Sequence, residues 1–325
     1  MRDVEIINVS RCVPDEQLHR GAFRCSGFQL TERLGSAWIG ATVYEMEAGD
    51  KRGPYHYHQG VEEWMYVVSG APILRDPAGE RSVEPGELIA FASGPAGAHT
   101  MYGPGRIVMF SAGWSGWGEA FVSVYPDSDK IAAAPGVMFR RADAIHSWGS
   151  WSPESTSSLP RTQAARSDGG SPAVNVLALE VSSLEQPARV HLDVRLGTRT
   201  WQPMLYELAG GESTGPYHHE WCREHWALIL TGTLRLRHSD GEAELHRGDT
   251  MCFSQGPAGA HQLRNDTDAP SRLLLFSTPT HRPMSAFFPD QGTVEICLTD
   301  EERLRFRLDD QIEDYWDGEP GAGIP

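Results

Sequence analysis

The sequence predicts an all-β protein of two tandem barrels, and three observations carry that prediction. A long block of sequence occurs twice, the apolar runs are of strand length and are closed by turn residues, and helical periodicity is weak throughout. Gly53-Pro54-Tyr55-His56 returns as Gly215-Pro216-Tyr217-His218, and Gly94-Pro95-Ala96-Gly97-Ala98-His99 returns as Gly256-Pro257-Ala258-Gly259-Ala260-His261. Both pairs share an offset of 162 (215 less 53), so everything between them aligns without a gap. Tyr44/Tyr206, Trp64/Trp226, Gly70/Gly232, Arg75/Arg237 and Phe91/Phe253 match in that register. Further on, Ser123-Val124-Tyr125-Pro126-Asp127 answers Ala286-Phe287-Phe288-Pro289-Asp290. This is a tandem duplication.

Within each copy, Glu63-Trp64-Met65-Tyr66-Val67-Val68 and Trp226-Ala227-Leu228-Ile229-Leu230 read as strands. Asp76-Pro77-Ala78-Gly79 and Ser239-Asp240-Gly241 read as hairpin turns. The stretch from Asp309 to Trp316 is the one segment with helical character. Many short strands in two similar units imply two antiparallel barrels or jelly rolls. The expected division is residues 1–150, a Ser/Pro/Gly-rich linker over 151–175, and residues 176–325. A Trp-rich loop, Gly113 to Gly118, occurs only in the first copy.

Composition excludes several function classes. With 28 basic and 44 acidic residues, the net charge of −16 argues against nucleic acid and against anionic membranes. No apolar run reaches the roughly 20 residues of a membrane span. The first residues lack the pattern of a secretory signal, and five scattered cysteines without CxxC spacing read as reduced thiols, so a cytoplasmic protein is expected. Sheet edges and the Trp-rich loop make a homodimer an expectation as well.

The chemistry lies in the histidines. His56 and His58 are one residue apart, which on a strand puts both imidazoles on one face. Glu63 opens the next apolar strand and His99 arrives on a later one. Three imidazoles and a carboxylate converging in a barrel suit a divalent transition metal, one per barrel, with coordination positions left open. The second copy keeps the inventory and exchanges two members: His218, Glu220, His225 and His261 read HxEx4H where the first reads HxHx4E. Glu62 and Glu224 align, and either is a candidate carboxylate ligand or a partner orienting a histidine. Arg75 and Arg237 read as substrate clamps or as ion-pair residues.

The motif His56-x-His58-x4-Glu63-x6-Gly70, with Pro85-Gly86 and Pro95-x-Gly97-x-His99 following, resembles the two sequence motifs of the cupin superfamily. One residue rather than two separates Gly97 from His99, and the closing Asn of the second motif is present only in the second copy, as Asn265. The segment Tyr125 to Lys130 is similar to one in uncharacterised bacterial cupins. The resemblance implies two tandem cupin (double-stranded β-helix) barrels, hence a bicupin. Bicupins include dioxygenases, oxalate decarboxylases and sugar-phosphate isomerases. The first expectation is therefore a non-haem Fe(II) dioxygenase, an oxidoreductase acting on a small organic substrate with O2. The alternative is a decarboxylase, lyase or isomerase using Mn, Zn, Ni or Cu as a Lewis acid, with Glu62 or Tyr55 moving protons. A third class is a metal-bearing binding protein.

Overall fold

The computed structural model describes residues 4–113, 122–134, 137–144, 169–181, 186–198, 201–278, 284–299 and 301–311. The Trp-rich loop beyond Gly113 and most of the expected linker lie outside them. Of the segment with helical character, Leu308–Asp310 is a single 3-10 turn, and the residues from 312 onward lie outside the described ones. The described residues form the expected all-β architecture, with one five-residue helix, Leu192–Leu196. None of their helices is long and apolar enough to cross a membrane.

Each copy of the repeat builds the same three antiparallel sheets. In the first, a large sheet takes the order Glu87–Phe91, Val61–Gly70, Gly105–Gly113, Gly40–Met46, Phe23–Gln29 and Glu16–Arg20. A three-stranded sheet (Thr100–Tyr102, Ile73–Asp76, Gly79–Ser82) and a four-stranded sheet (Val137–Arg140, Lys130–Ala134, Val122–Tyr125, Tyr57–Gln59) complete the unit. In the second copy the large sheet runs Asp249–Phe253, His225–Thr231, Ser271–Ser277, Met204–Leu208, Ala188–His191. Its smaller sheets centre on Thr233–His238 and Met284–Phe288.

The large sheets are buried on both faces, so their central strands read as unbroken apolar runs rather than alternating ones. Side chains still alternate with period two. Trp64, Tyr66, Val108, Phe110, Trp226, Leu228, Leu230, Leu274 and Phe276 belong to one cluster between the two sheets. Met65, Val67, Ile107 and Met109 fill the first barrel, and Ala227, Ile229, Leu273 and Leu275 fill the second. Phe110 sits 4.6 Å from Phe276 and 5.8 Å from Trp226, centroid to centroid, so the centre of the molecule is an aromatic layer shared by both copies. Trp226 Nε1–H satisfies itself by donating to Thr250 Oγ1 at 2.6 Å.

Strand pairing cuts across the contiguous division expected from the sequence. Ile7–Asn8 pairs with Asp249–Phe253 of the second copy, and Ala173–Asn175 pairs with Glu87–Phe91 of the first. Each copy's leading segment thus extends the other's large sheet. A buried carboxylate adds a second tie. Glu224 accepts from the backbone N–H of Ala37 (2.8 Å), Ile39 (3.2 Å) and Trp38 (3.3 Å), and from the Ser36 hydroxyl, all in the first copy.

The shared layer predicts that the halves unfold together. Phe276→Ala removes a fully buried ring at the centre of the layer and is expected to cost about 3–5 kcal/mol. In denaturant titrations followed by fluorescence and circular dichroism, one transition should move to lower midpoint. Two separate transitions, with one half unaffected, would contradict the shared layer.

Candidate metal centres

Two turns and two strands deliver the first set of ligands. His56 and His99 face each other as a bridged pair, each accepting the other's backbone N–H (3.1 and 2.8 Å). The 3-10 turn Pro95–Gly97 leads into His99, and only glycine fits its last position, since a Cβ on Gly97 would lie 1.9 Å from Ala92 O. Gly259 repeats this at 1.7 Å from Ser254 O. Glu63 enters from the neighbouring strand Val61–Gly70, opposite Phe91 and Ser111.

Hydrogen bonds behind the rings then decide which nitrogen faces inward. His56 Nδ1–H donates to Pro54 O at 2.9 Å, and His99 Nδ1–H donates to Gly97 O at 2.9 Å. A carbonyl only accepts, so both rings carry their proton on Nδ1 and present Nε2 as a lone pair. Ser123 Oγ lies 2.9 Å from His58 Nδ1. Glu63 Oε2 then lies 3.2 Å from His58 Nε2 and 3.4 Å from His99 Nε2. Ligand atoms of His56, His58 and Glu63 all fall within 4.8 Å of one another. Phe91 stacks on His99 at 3.8 Å and holds that ring from behind.

The electrostatics agree with a cation cage. Burial, reinforced by His99, pushes the His56 imidazole down to about 3. Burial pushes His99 down to about 4 against the opposing pull of Glu63. Burial alone would raise Glu63, but His58, His99 and His56 hold its carboxyl well below the ordinary value. Neutral imidazoles beside an ionised carboxylate are the protonation states a divalent metal needs. Glu63 Oε2 and His99 Nε2 are buried with no hydrogen-bond partner. Two facing acceptors with no proton between them repel, and a cation removes the repulsion. The donor set therefore fits a divalent metal.

The second set keeps the scaffold. His218 Nδ1–H donates to Pro216 O (2.9 Å), and His261 Nδ1–H donates to Gly259 O (2.8 Å). Phe253 stacks on His261 at 3.9 Å. His225 Nε2 lies 3.4 Å from Glu220 Oε2, and Ser277 Oγ lies 3.5 Å from His225 Nδ1. The exchange of ligands is compensated locally. Ser123, which faces His58, becomes Ala286 opposite Glu220, because a carboxylate there has no Nδ1 to orient. The centres differ in two further respects. Arg223 Nε stands 3.7 Å from Glu220 Oε2, so a guanidinium shares that carboxylate. Burial would raise Glu220, but His225, Arg223 and His218 hold its pKa below the ordinary value. Among the described residues only the first set meets the close-convergence distance of three ligand atoms.

Three sequence expectations change. Glu62 is not a proton carrier at the metal: it follows the parity of Trp64 and Tyr66, so the strand turns it toward the layer between the barrels, away from Glu63. Glu224 does the same, and its partners in 36–39 show what that position is for. Tyr55 likewise turns away from His56. It packs with Tyr57, Ala98 and Val124 under the guanidinium of Arg75, 4.2 Å from its ring centre. Arg75 is an ion-pair residue, donating to both oxygens of Asp127 (2.6 and 3.0 Å), and Arg237 pairs with Asp290 in the same way. Pairing with Asp127 anchors the turn that carries Tyr125, the aromatic the sequence reading missed. Tyr125 stacks on His56 at 5.8 Å and 21°, and its counterpart Phe288 stacks on His218 at 5.9 Å. The aligned pair Tyr125/Phe288 was visible in the repeat; its place beside the first ligand was not.

A family model described as a Cupin domain matches residues 204–277. No curated protein matches the chain. Among solved structures, a single-residue mutant of Bacillus subtilis oxalate decarboxylase aligns over 90% of this chain and 81% of its own, at 14% identity and a TM-score of 0.50. Another structure of that decarboxylase, at 13% identity and a TM-score of 0.50, is described with Mn(II) centres. A cupin sugar phosphate isomerase from Silicibacter pomeroyi aligns over 42% of this chain and 93% of its own, at 21% identity and a TM-score of 0.37. At these identities the decarboxylase likeness is one of fold, and the isomerase score is too low to carry an argument.

The lowered pKa values predict acid sensitivity of the metal-free chain. An unfolded histidine titrates near 6.5, whereas folded His56 and His99 titrate at about 3 and about 4. Below 6.5 the unfolded state binds protons that the folded state refuses, so stability falls with pH by up to about 1.4 kcal/mol per unit for each group. Glu63 acts in the same direction, its contribution being lost as pH falls below the ordinary carboxylate value. The Tm of chelator-treated protein should drop steadily from about pH 7 to about pH 5. A flat profile over that interval would contradict neutral, buried ligands.

Proposed function

We propose that this chain, whose residues 204–277 match a Cupin domain model, is a bicupin and a metal-dependent enzyme of the Lewis-acid kind, a decarboxylase, lyase or isomerase of a small organic substrate. The observation that carries this reading is the unpaired, buried contact of Glu63 Oε2 with His99 Nε2 at 3.4 Å. His56, His58, Glu63 and His99 are the residues that would hold the metal. A divalent cation bound there supplies polarisation of a substrate oxygen and stabilises the charge that develops on it. Imidazole and carboxylate donors take Mn, Fe, Zn, Ni or Cu. Mn(II) is the working assignment, because the fold relative named above is described with it.

This chain's own residues then provide orientation and proton handling. Pro54, Gly97 and Ser123 fix the rings. Tyr125, whose ring stacks on His56, is the residue assigned to hand a proton to a substrate at that centre. Lys130 Nζ lies over its ring at 5.6 Å. The second centre has Phe288 in the same place and Arg223 on its carboxylate, so it offers neither the proton carrier nor an unshared ligand. The first centre is therefore assigned the chemistry and the second a weaker metal affinity.

Elemental analysis tests the ligand assignment. After dialysis the wild type should retain one tightly held equivalent, with a second acquired in excess metal; His58→Ala should lose the tight one and His225→Ala should keep it. No retained metal in the wild type would overturn the reading. Tyr125→Phe should keep its metal while kcat falls about 10²–10⁴-fold. Turnover of the eventual substrate should persist without O2. Loss of turnover under anaerobic conditions would favour the Fe(II) oxygenase instead.

A further inference from the structure

The four-stranded sheet that carries His58 ends on the strand Val137–Arg140, and among the described residues no strand pairs with its outer side. The whole strand is exposed, and three residues in a row are apolar: Val137 at 43%, Met138 at 49% and Phe139 at 62% of full exposure. An edge strand presents a row of free N–H and C=O groups, which proteins protect with charge, proline or a covering element. A consecutive apolar run has no such protection.

The second copy holds the protected form of the same strand. Phe139-Arg140 aligns with Phe306-Arg307, so Met138 stands where the edge strand Arg303–Arg307 has Arg305. Leu308 N–H donates to Gly292 O at 2.8 Å, and alternation along the antiparallel ladder then turns the backbone groups of Arg303, Arg305 and Arg307 outward. If this edge paired antiparallel with its own counterpart, arginine would face arginine in every register, which is unfavourable.

The first copy's edge is self-complementary. Arg141 N–H donates to Asp129 O at 2.8 Å, so the outward backbone groups belong to Met138 and Arg140. In an antiparallel pair of copies Met138 bonds opposite the second copy's Arg140, and Phe139 faces the second copy's Phe139. No like charges meet, and the facing rings form a favourable cross-strand pair.

We propose that two copies of this chain associate edge to edge through Val137–Arg140, joining their four-stranded sheets into one of eight strands. The interface is isologous, with its two-fold axis at Phe139. Two four-residue strands bury less than the roughly 1,000 Å² of a permanent interface, so the dimer is reversible. The contact is apolar while each chain carries a net charge of −16, so screening by salt strengthens it.

Sedimentation velocity of the full chain from about 1 to about 100 μM tests this. A monomer–dimer equilibrium is expected, moving toward dimer between about 0.05 and about 0.5 M salt. Met138→Arg, which copies the second copy's edge, should raise the dissociation constant at least about tenfold with Tm unchanged. Phe139→Cys should give a disulfide-linked dimer on mild oxidation, because facing residues of such a pair stand about 4.5 Å apart, within disulfide reach. Wild type, with its own five cysteines, should not be linked in this way. A chain that stays monomeric at about 100 μM overturns the proposal and leaves the edge to a strand of another protein. A dimer that ignores Met138→Arg, or that weakens with added salt as an ionic contact does, overturns it as well. Should Met138→Arg not fold, the Phe139→Cys crosslink decides.

Discussion

Glu63 Oε2 and His99 Nε2, two hydrogen-bond acceptors, are held 3.4 Å apart inside the first barrel with no proton between them. Much of the molecule serves to keep them there. Nδ1 of each ring is tied to a carbonyl two residues upstream, so the lone pair cannot turn away. Burial keeps the imidazoles neutral, and the imidazoles keep the carboxylate ionised. A site prepared in this way lowers the reorganisation that metal binding requires.

The second constraint is the double burial of the large sheets. Residues of one parity on the ligand strands point into a barrel, and those of the other parity point into the aromatic layer between barrels. Each centre is thereby fixed to the layer through a single strand: Glu63 is followed by Trp64, and His225 by Trp226. The neighbouring carboxylate Glu224 carries the same logic further, holding residues 36–39 of the opposite copy. Exchange of the leading strands, Ile7–Asn8 and Ala173–Asn175, makes the halves one mechanical unit.

Within that symmetric frame the centres have diverged by a few substitutions whose effects are separable. Ser123 against Ala286 follows the swap of histidine for glutamate. Tyr125 against Phe288 removes a phenol. Arg223 adds a cation beside the carboxylate of the other centre. Each change alters charge or proton supply while leaving the barrel intact, which is why one scaffold can carry two different sites.

The fold and the convergence of His56, His58 and Glu63 were legible in the sequence because both rest on local rules. A duplicated block shows itself by its offset, strands by short apolar runs, and paired ligands by the period-two spacing of His56 and His58. Facing partners were not legible. Glu62 and Tyr55 are adjacent in sequence to ligands, and strand alternation turns each to the other side. Tyr125 is 69 residues after His56, with no spacing rule to join it to that histidine. Sequence alone thus determined two tandem β-barrels and singled out His56, His58 and Glu63, whose ligand atoms converge. Tertiary structure decided which atoms meet, because the strand partners that bring Ser123 and Tyr125 to the centre are set by long-range sheet pairing, which no local pattern encodes.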